Sequence, residues 1–267
     1  MKKLQLLWMA VAVVCAAASA ADVQFDFNGD LSASVGPGTL EYFNGATTSG
    51  AVGFGTASGF GLPALAGGDA TVMSFPAFRQ DQGLTLDTGC GPNGGSEDIN
   101  QYTMIWDMLI ASFDSDYSSL YNTSGTNNND GDFFIRRDHG IGISSVYDGV
   151  VNAGEWYRIA VTLDLPTSTM SKYIDGALVG TQTLSAGVGG RWSLWPTGTL
   201  PTFLLTDEDG ETNAGFINSF YFADRVLSGA EISALGGADV DGVVPEPATA
   251  LLLVVGASVI SRLKRRQ

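Results

Sequence analysis

Gly154-Glu155-Trp156-Tyr157-Arg158-Ile159-Ala160-Val161-Thr162 is followed, after a short gap, by Met170-Ser171-Lys172-Tyr173-Ile174-Asp175-Gly176-Ala177-Leu178-Val179. From Trp156 to Leu163, Tyr157, Ile159, Val161 and Leu163 fall on alternate positions, so a strand would place all four on one face. In the second, Lys172-Tyr173-Ile174 and Ala177-Leu178-Val179 flank Asp175-Gly176, a pair that supplies the positive φ angles of a tight hairpin turn. Trp156, at the head of the first strand, is placed to cap the edge of a core. A strand and then a hairpin, with no helical period, set the pattern for the rest.

Outward from that point the same pattern repeats. From Gln101 to Met108, Tyr102, Met104, Trp106 and Met108 share one face, while Gln101, Thr103 and Asp107 point the other way. Phe133-Phe134-Ile135, Phe203-Leu204-Leu205 and Phe216 to Phe222 read as further strands. Ser228 followed by Glu231 forms a capping box, and Gly236-Gly237 stops the short helix it opens. With 35 glycines and turn residues between short runs, the chain reads as an all-β sandwich or barrel. The stretch from Gly36 to Gly68 reads as strands joined by loops.

The two ends belong to targeting rather than to the fold. Lys2 and Lys3 precede an apolar run from Leu4 to Ala18 that closes in Ala18-Ser19-Ala20-Ala21. That is a signal peptide, residues 1–21, cut before Ala21 or Asp22. Val13 and Val14 stand where a lipobox before Cys15 wants a small residue, so a lipoprotein signal is rejected. At the other end Pro245-Glu246-Pro247 leads into an apolar stretch from Ala248 to Ile260, and Arg262, Lys264, Arg265 and Arg266 close the chain. The stretch is short against the roughly 20 residues of a spanning helix; tilt and snorkelling basic side chains make up the difference. The basic tail stays cytoplasmic, so the body lies outside the inner membrane. Residues 22–237 form the expected domain, 238–244 a linker, and 245–267 the anchor.

This terminal unit resembles the PEP-CTERM sorting signal of Gram-negative bacteria in its order: Pro-Glu-Pro, apolar helix, basic tail. The resemblance implies an exosortase-type transpeptidase as a partner, transient anchoring in the inner membrane, and delivery to the cell surface or matrix beside exopolysaccharide. The body carries a second resemblance. The Trp156 strand, the Tyr173-Ile174-Asp175-Gly176 hairpin, and Ile217 to Ile232 with its Arg225-Val226-Leu227-Ser228 and Glu231-Ile232 look like the laminin-G/concanavalin-A-like (LamG) domain of bacterial secreted proteins. That implies a jelly-roll sandwich of two antiparallel sheets that meets glycans or proteins at a loop rim or a sheet face. The N-terminal third matches no motif of that family.

Charge narrows the partners. The chain has 13 Lys+Arg against 28 Asp+Glu, and without its two ends the body keeps 7 against 27, a net charge near −20. Binding to nucleic acid by counterion release needs basic patches, so that class is excluded. Once Cys15 leaves with the leader, Cys90 is alone, and no Cys/His zinc spacing exists. Catalysis finds no support either. The E-x-D-x-x-E strand of the β-glucanases on this fold is missing, as is a G-x-S-x-G elbow. His139, the only histidine, sits in a glycine-flanked turn.

Two loops have the chemistry of a calcium site. Asn127-Asn128-Asn129-Asp130-Gly131-Asp132 is rich in oxygen ligands, and Asp207-Glu208-Asp209-Gly210-Glu211 is a second acidic run. Calcium takes several carboxylate, amide and carbonyl oxygens. The candidate ligands are Asn129, Asp130, Asp132, Asp207 and Asp209, against the competing role of solvated turns. Neither loop is an EF-hand. Aromatics that stack on sugars are sought in Trp192-Ser193-Leu194-Trp195 and at Tyr147, with core packing as the competing role. The function expected is a non-catalytic surface or matrix protein that meets polysaccharide or another protein. A structural protein without a discrete ligand, and a carbohydrate-active enzyme, are the alternatives.

Overall fold

A computed structural model describes residues 22–127 and 129–244 of the chain. Residues 1–21, read from the sequence as a signal peptide, and Pro245, Glu246, Pro247, the apolar stretch and the basic tail at Arg262, Lys264, Arg265 and Arg266 lie outside the described residues. Among those that are described, no helix is long and apolar enough to cross a membrane.

Sixteen strands account for the body: β1 (Asp22–Phe25), β2 (Ala33–Val35), β3 (Thr39–Tyr42), β4 (Gly53–Thr56), β5 (Thr71–Phe75), β6 (Leu84–Asp87), β7 (Gln101–Ile110) and β8 (Tyr117–Asn122). The second half gives β9 (Asp132–Arg136), β10 (Ile141–Ile143), β11 (Val146–Asp148), β12 (Tyr157–Asp164), β13 (Thr169–Ile174), β14 (Ala177–Thr183), β15 (Thr202–Leu204) and β16 (Gly215–Ala223). Two short helices join them, α1 (Ala46–Ser49) and α2 (Gly229–Leu235). One sheet of nine strands runs β14-β13-β12-β7-β16-β1-β2, with β5 continuing the β16 edge beyond β1 and β4 pairing with β5. The other, of seven strands, runs β11-β10-β9-β8-β15-β6-β3. Every pairing between these strands is antiparallel.

The alternation in the sequence becomes the core between the sheets. Tyr102, Met104, Trp106 and Met108 of β7 and Ile159, Val161 and Leu163 of β12 all enter it. Trp106 is its centre, with ring centroids 5.5 Å from Phe220 and 6.4 Å from both Tyr121 and Phe133. The Asp175-Gly176 turn joins β13 to β14 with φ of 48° and 78°, as the dipeptide predicts. Changing Gly176 to alanine should cost about 1–2 kcal/mol, the penalty of a left-handed Cβ, read as a lower urea midpoint at unchanged m-value. The capping box of α2 is present, with Ser228 and Glu231 satisfying each other's backbone N–H groups.

The outer face of the nine-stranded sheet departs from the expectation. Alternation implied one buried face per strand, yet Thr103, Ile105 and Asp107 are buried as fully as their neighbours. The cover is α2 together with residues 236–244. Residues 238–244, read from sequence as a linker, are packed down instead. Arg158 makes a bidentate pair with Asp107 (Nε to Oδ1 2.7 Å, Nη2 to Oδ2 2.6 Å). The same guanidinium donates to the carbonyls of Leu235 (2.6 Å) and Gly242 (2.8 Å). Asn218 donates to the Asp239 carbonyl at 2.9 Å, and the side-chain amide of Gln24 both donates to and accepts from the backbone of Val244. Polar groups buried beneath a segment must find partners. Here they find them in the segment, which therefore lies flat.

Candidate ligand-binding rim

The site lies at the end of the sandwich where β8 stops and β9 begins. There the chain from Gly187 to Pro201 is held by a short ladder, Ile99 and Leu194 exchanging backbone hydrogen bonds of 2.9 and 3.0 Å. The buried side chain of Asn100 adds a second tie. Its Oδ1 accepts from Gly189 N (2.9 Å) and Ser193 Oγ (2.7 Å). With that loop fixed, the two tryptophans part company. Trp192 is 2 % exposed, its carbonyl accepts the Tyr102 hydroxyl at 2.7 Å, and the Arg191 guanidinium covers its ring at 4.7 Å. It packs in the core and corrects the sequence reading that paired it with Trp195 as a ligand platform. Trp195 is 44 % exposed.

Trp195 borders a cleft of about 420 Å³. One wall comes from the β8–β9 connection, with Thr123, Ser124, Gly125, Asn129 and Asp130; the other comes from Gly189, Gly190, Arg191 and Ser193. Leu200, Pro201 and Phe203 close one side, and Asp98 adds a carboxylate. An aromatic face, small residues that let a ligand approach the backbone, and a few polar groups of both charges form the usual lining of a binding cleft.

Next to this cleft the two acidic loops meet. β15 pairs with β8, setting Phe203 opposite Asn122 and Leu204 opposite Tyr121. Leu205 then takes a left-handed φ of 59° with its side chain in the core, which swings Thr206, Asp207 and Glu208 over the end of β8. A bulky residue in that conformation costs about 1–2 kcal/mol, and strain of this kind gathers at functional sites. Asn122 Nδ2 donates to Glu208 Oε2 at 2.5 Å and to Asp130 Oδ2 at 3.4 Å, tying one loop to the other. Asp207, Glu208 and Asp209 each offer a carboxylate oxygen within 4.8 Å of the others. Burial, followed by the charges of Asp130, Asp207 and Glu208, pushes the Asp132 carboxyl up to about 8 despite Arg191. Burial, then Asp207 and Asp130, lifts Glu208 to about 7. These acids crowd each other.

Of the ligands expected from sequence, Asp207 and Asp209 lie together with Glu208, Asp130 is tied to Glu208 through Asn122, and Asp132 lies 3.8 Å from Arg191. Asn129 lines the cleft in a left-handed conformation (φ 58°), and the exposed Asp209 accepts from the Asn127 amide at 2.6 Å. Glu208, Asn122 and Arg191 were not foreseen. The sequence reading takes Asp207 and Asp209 from the acidic run and passes over Glu208 between them, but a turn brings the adjacent residues together. His139 is the turn residue expected, at φ 79°, with its ring 5.0 Å from that of Phe113.

Two face-to-face antiparallel sheets with loops gathered at one rim define a jelly-roll of the lectin type. The chain belongs to the concanavalin A-like lectin/glucanase superfamily: the Laminin_G_3 family model matches residues 97–233. No curated protein sequence matches it. Among solved structures it is similar to domain 4 of AbnA, a GH43 extracellular arabinanase from Geobacillus stearothermophilus, in complex with arabinotriose. That match has 18% identity and a TM-score of 0.50, and covers 82% of this chain and 99% of the other. It is also similar to the binding domain of botulinum neurotoxin DC in complex with rat synaptotagmin II (13% identity, TM-score 0.51, 81% and 51% covered). A third is the binding domain of Paraclostridial Mosquitocidal Protein 1 (11% identity, TM-score 0.50, 81% and 51% covered). The chain spans about half the length of the latter two. At these identities the shared property is the fold.

Proposed function

We propose that the chain is a non-catalytic, lectin-like module of an exported protein, binding a neutral polysaccharide in the rim cleft beside Trp195. The observation that carries this is the half-exposed Trp195 face over a glycine-walled cleft that also presents Arg191, Asp98 and Asp130. A sugar ring offers an apolar face to stack on an indole and hydroxyls to pair with carboxylates and guanidinium. A body near −20 repels polyanions, which favours an uncharged glycan. Arabinotriose in the similar arabinanase domain makes neutral oligosaccharides the first to test.

The targeting segments read from the sequence support an envelope location for this module. On this reading the leader exports it, the Pro-Glu-Pro unit and its apolar helix hold it at least transiently in the inner membrane, and an exosortase-type enzyme passes it to the surface or matrix. There it would bind exopolysaccharide or a surface protein. The mature mass from envelope fractions tests the sorting half: loss of residues 1–21 together with a cut near Pro245 supports it, and an intact chain in the cytosol would sink it. Binding is tested with an oligosaccharide panel that includes arabinotriose. Wild type should bind at least one member, and Trp195→Ala should weaken that binding tenfold or more, about the worth of a stacked ring.

A further inference from the structure

We infer that Lys172 and Asp148 condense into an isopeptide bond, a covalent staple between the two sheets on the side where β14 and β11 end them. The staple is independent of the rim cleft.

Lys172 is the only lysine between Lys3 and Lys264. It stands on the core face of β13, in step with Met170 and Ile174, and is 0 % exposed. A charge so placed needs partners. Two groups of β11, the last strand of the opposite sheet, meet it. The Val146 carbonyl accepts from Nζ at 2.9 Å, and Asp148 Oδ2 lies 2.5 Å from Nζ. The second contact departs from an ordinary ion pair. It is closer than the roughly 2.7–2.9 Å of a charge-assisted N–H···O bond. Its angles make no hydrogen bond either, and Oδ2 is buried without a hydrogen-bond partner. A carboxyl C–O bond adds about 1.2 Å, so Nζ lies within about 3.7 Å of Cγ.

The backbone makes room for this contact. A bulge in the β13–β14 pairing, between Lys172 and Tyr173, accompanies the placing of Gly180 opposite Lys172. A Cβ at Gly180 would collide with the Asp148 carboxylate. Gly149, next to Asp148, has a left-handed φ of 74°, and a Cβ there would strike Ile174 and Val179.

Keeping two charges out of water is costly. Passing one proton from Nζ to the carboxylate leaves an amine beside a carboxylic acid, with no charge and no outside proton donor. The Val146 carbonyl takes one N–H of the amine, and the nitrogen lone pair attacks Cγ. The Nζ–Cγ bond forms and one Cγ–O bond breaks. That oxygen leaves as water, with the carboxyl proton and one amine proton. The Asp148 side chain is 32 % exposed, which gives the water a way out. Two groups held in contact by the fold react as a single molecule, without the cost of an encounter. The product is a neutral amide. With a single cysteine, the body cannot brace itself by an internal disulfide, and this bond would do so instead.

The test is trypsin digestion of denatured full-length protein, read by mass spectrometry. Peptides 138–158 and 159–191 are expected joined, uncut after Lys172, at their summed mass less one water. Asp148→Asn should give the same joined peptide at the same mass, because the condensation then expels ammonia. Lys172→Arg should give the peptides unjoined. Unjoined peptides in wild type, cut after Lys172, would overturn the bond, and that result depends on no variant's folding. A joined pair that survives Lys172→Arg would overturn its placement.

Discussion

Asp107→Ala is expected to destabilise the protein by about 3–5 kcal/mol, the cost of breaking a buried ion pair from one side. The pair is 0 % and 2 % exposed, so the Arg158 guanidinium left behind has no water to turn to. Burial pushes the Asp107 carboxyl upward, and the bidentate guanidinium opposes it. That balance fails once either partner is gone. Asp107→Leu/Arg158→Met should recover part of the loss, because replacing both charges removes the desolvation cost. It should not recover all of it. The carbonyls of Leu235 and Gly242 would lose their donor, at about 1–3 kcal/mol for each buried group left unsatisfied. Urea unfolding of the two variants measures both numbers. In the double variant, faster amide exchange from Gly236 to Val244 would show that the charges hold this segment to the sheet.

The second large effect separates two residues three positions apart. Trp192→Ala should cost about 3–5 kcal/mol, as removal of a buried aromatic does. It deletes the ring beneath Arg191 and loosens the carbonyl that receives the Tyr102 hydroxyl. Trp195→Ala should change stability by less than about 0.5 kcal/mol, the usual range for exposed sites, while removing the stacking face. Melting curves of the two variants give the contrast directly. Equal losses of stability would mean that Trp195 is packed, and that the rim offers no aromatic platform.

The parts of this molecule that were legible in the sequence are those with local causes. The Asp175-Gly176 turn, the Ser228–Glu231 capping box and the inward faces of β7 and β12 depend on residues within a few positions of one another. The site depends on pairings that no local pattern records. Asp130 and Asp207 look like two separate loops until β15 is seen to lie beside β8. Trp192 and Trp195 share an irregular loop with no period to say which faces inward. Residues 238–244 have a turn-like composition, Ala-Asp-Val-Asp-Gly followed by two valines, that reads as a connector. Their partners at Gln24, Asp107 and Arg158 are between about 80 and 220 residues away. Arg158 stood in view within the strand motif, but its role depends on what covers the sheet.

The proposal that the rim cleft is a glycan site is tested most directly by calorimetric titration of neutral oligosaccharides, arabinotriose among them, into wild type and Trp195→Ala. Saturable binding to wild type, weakened at least tenfold by the substitution in protein of unchanged melting temperature, is the expected result. Equal binding by the two proteins, or no heat from any sugar at millimolar concentration, would contradict it.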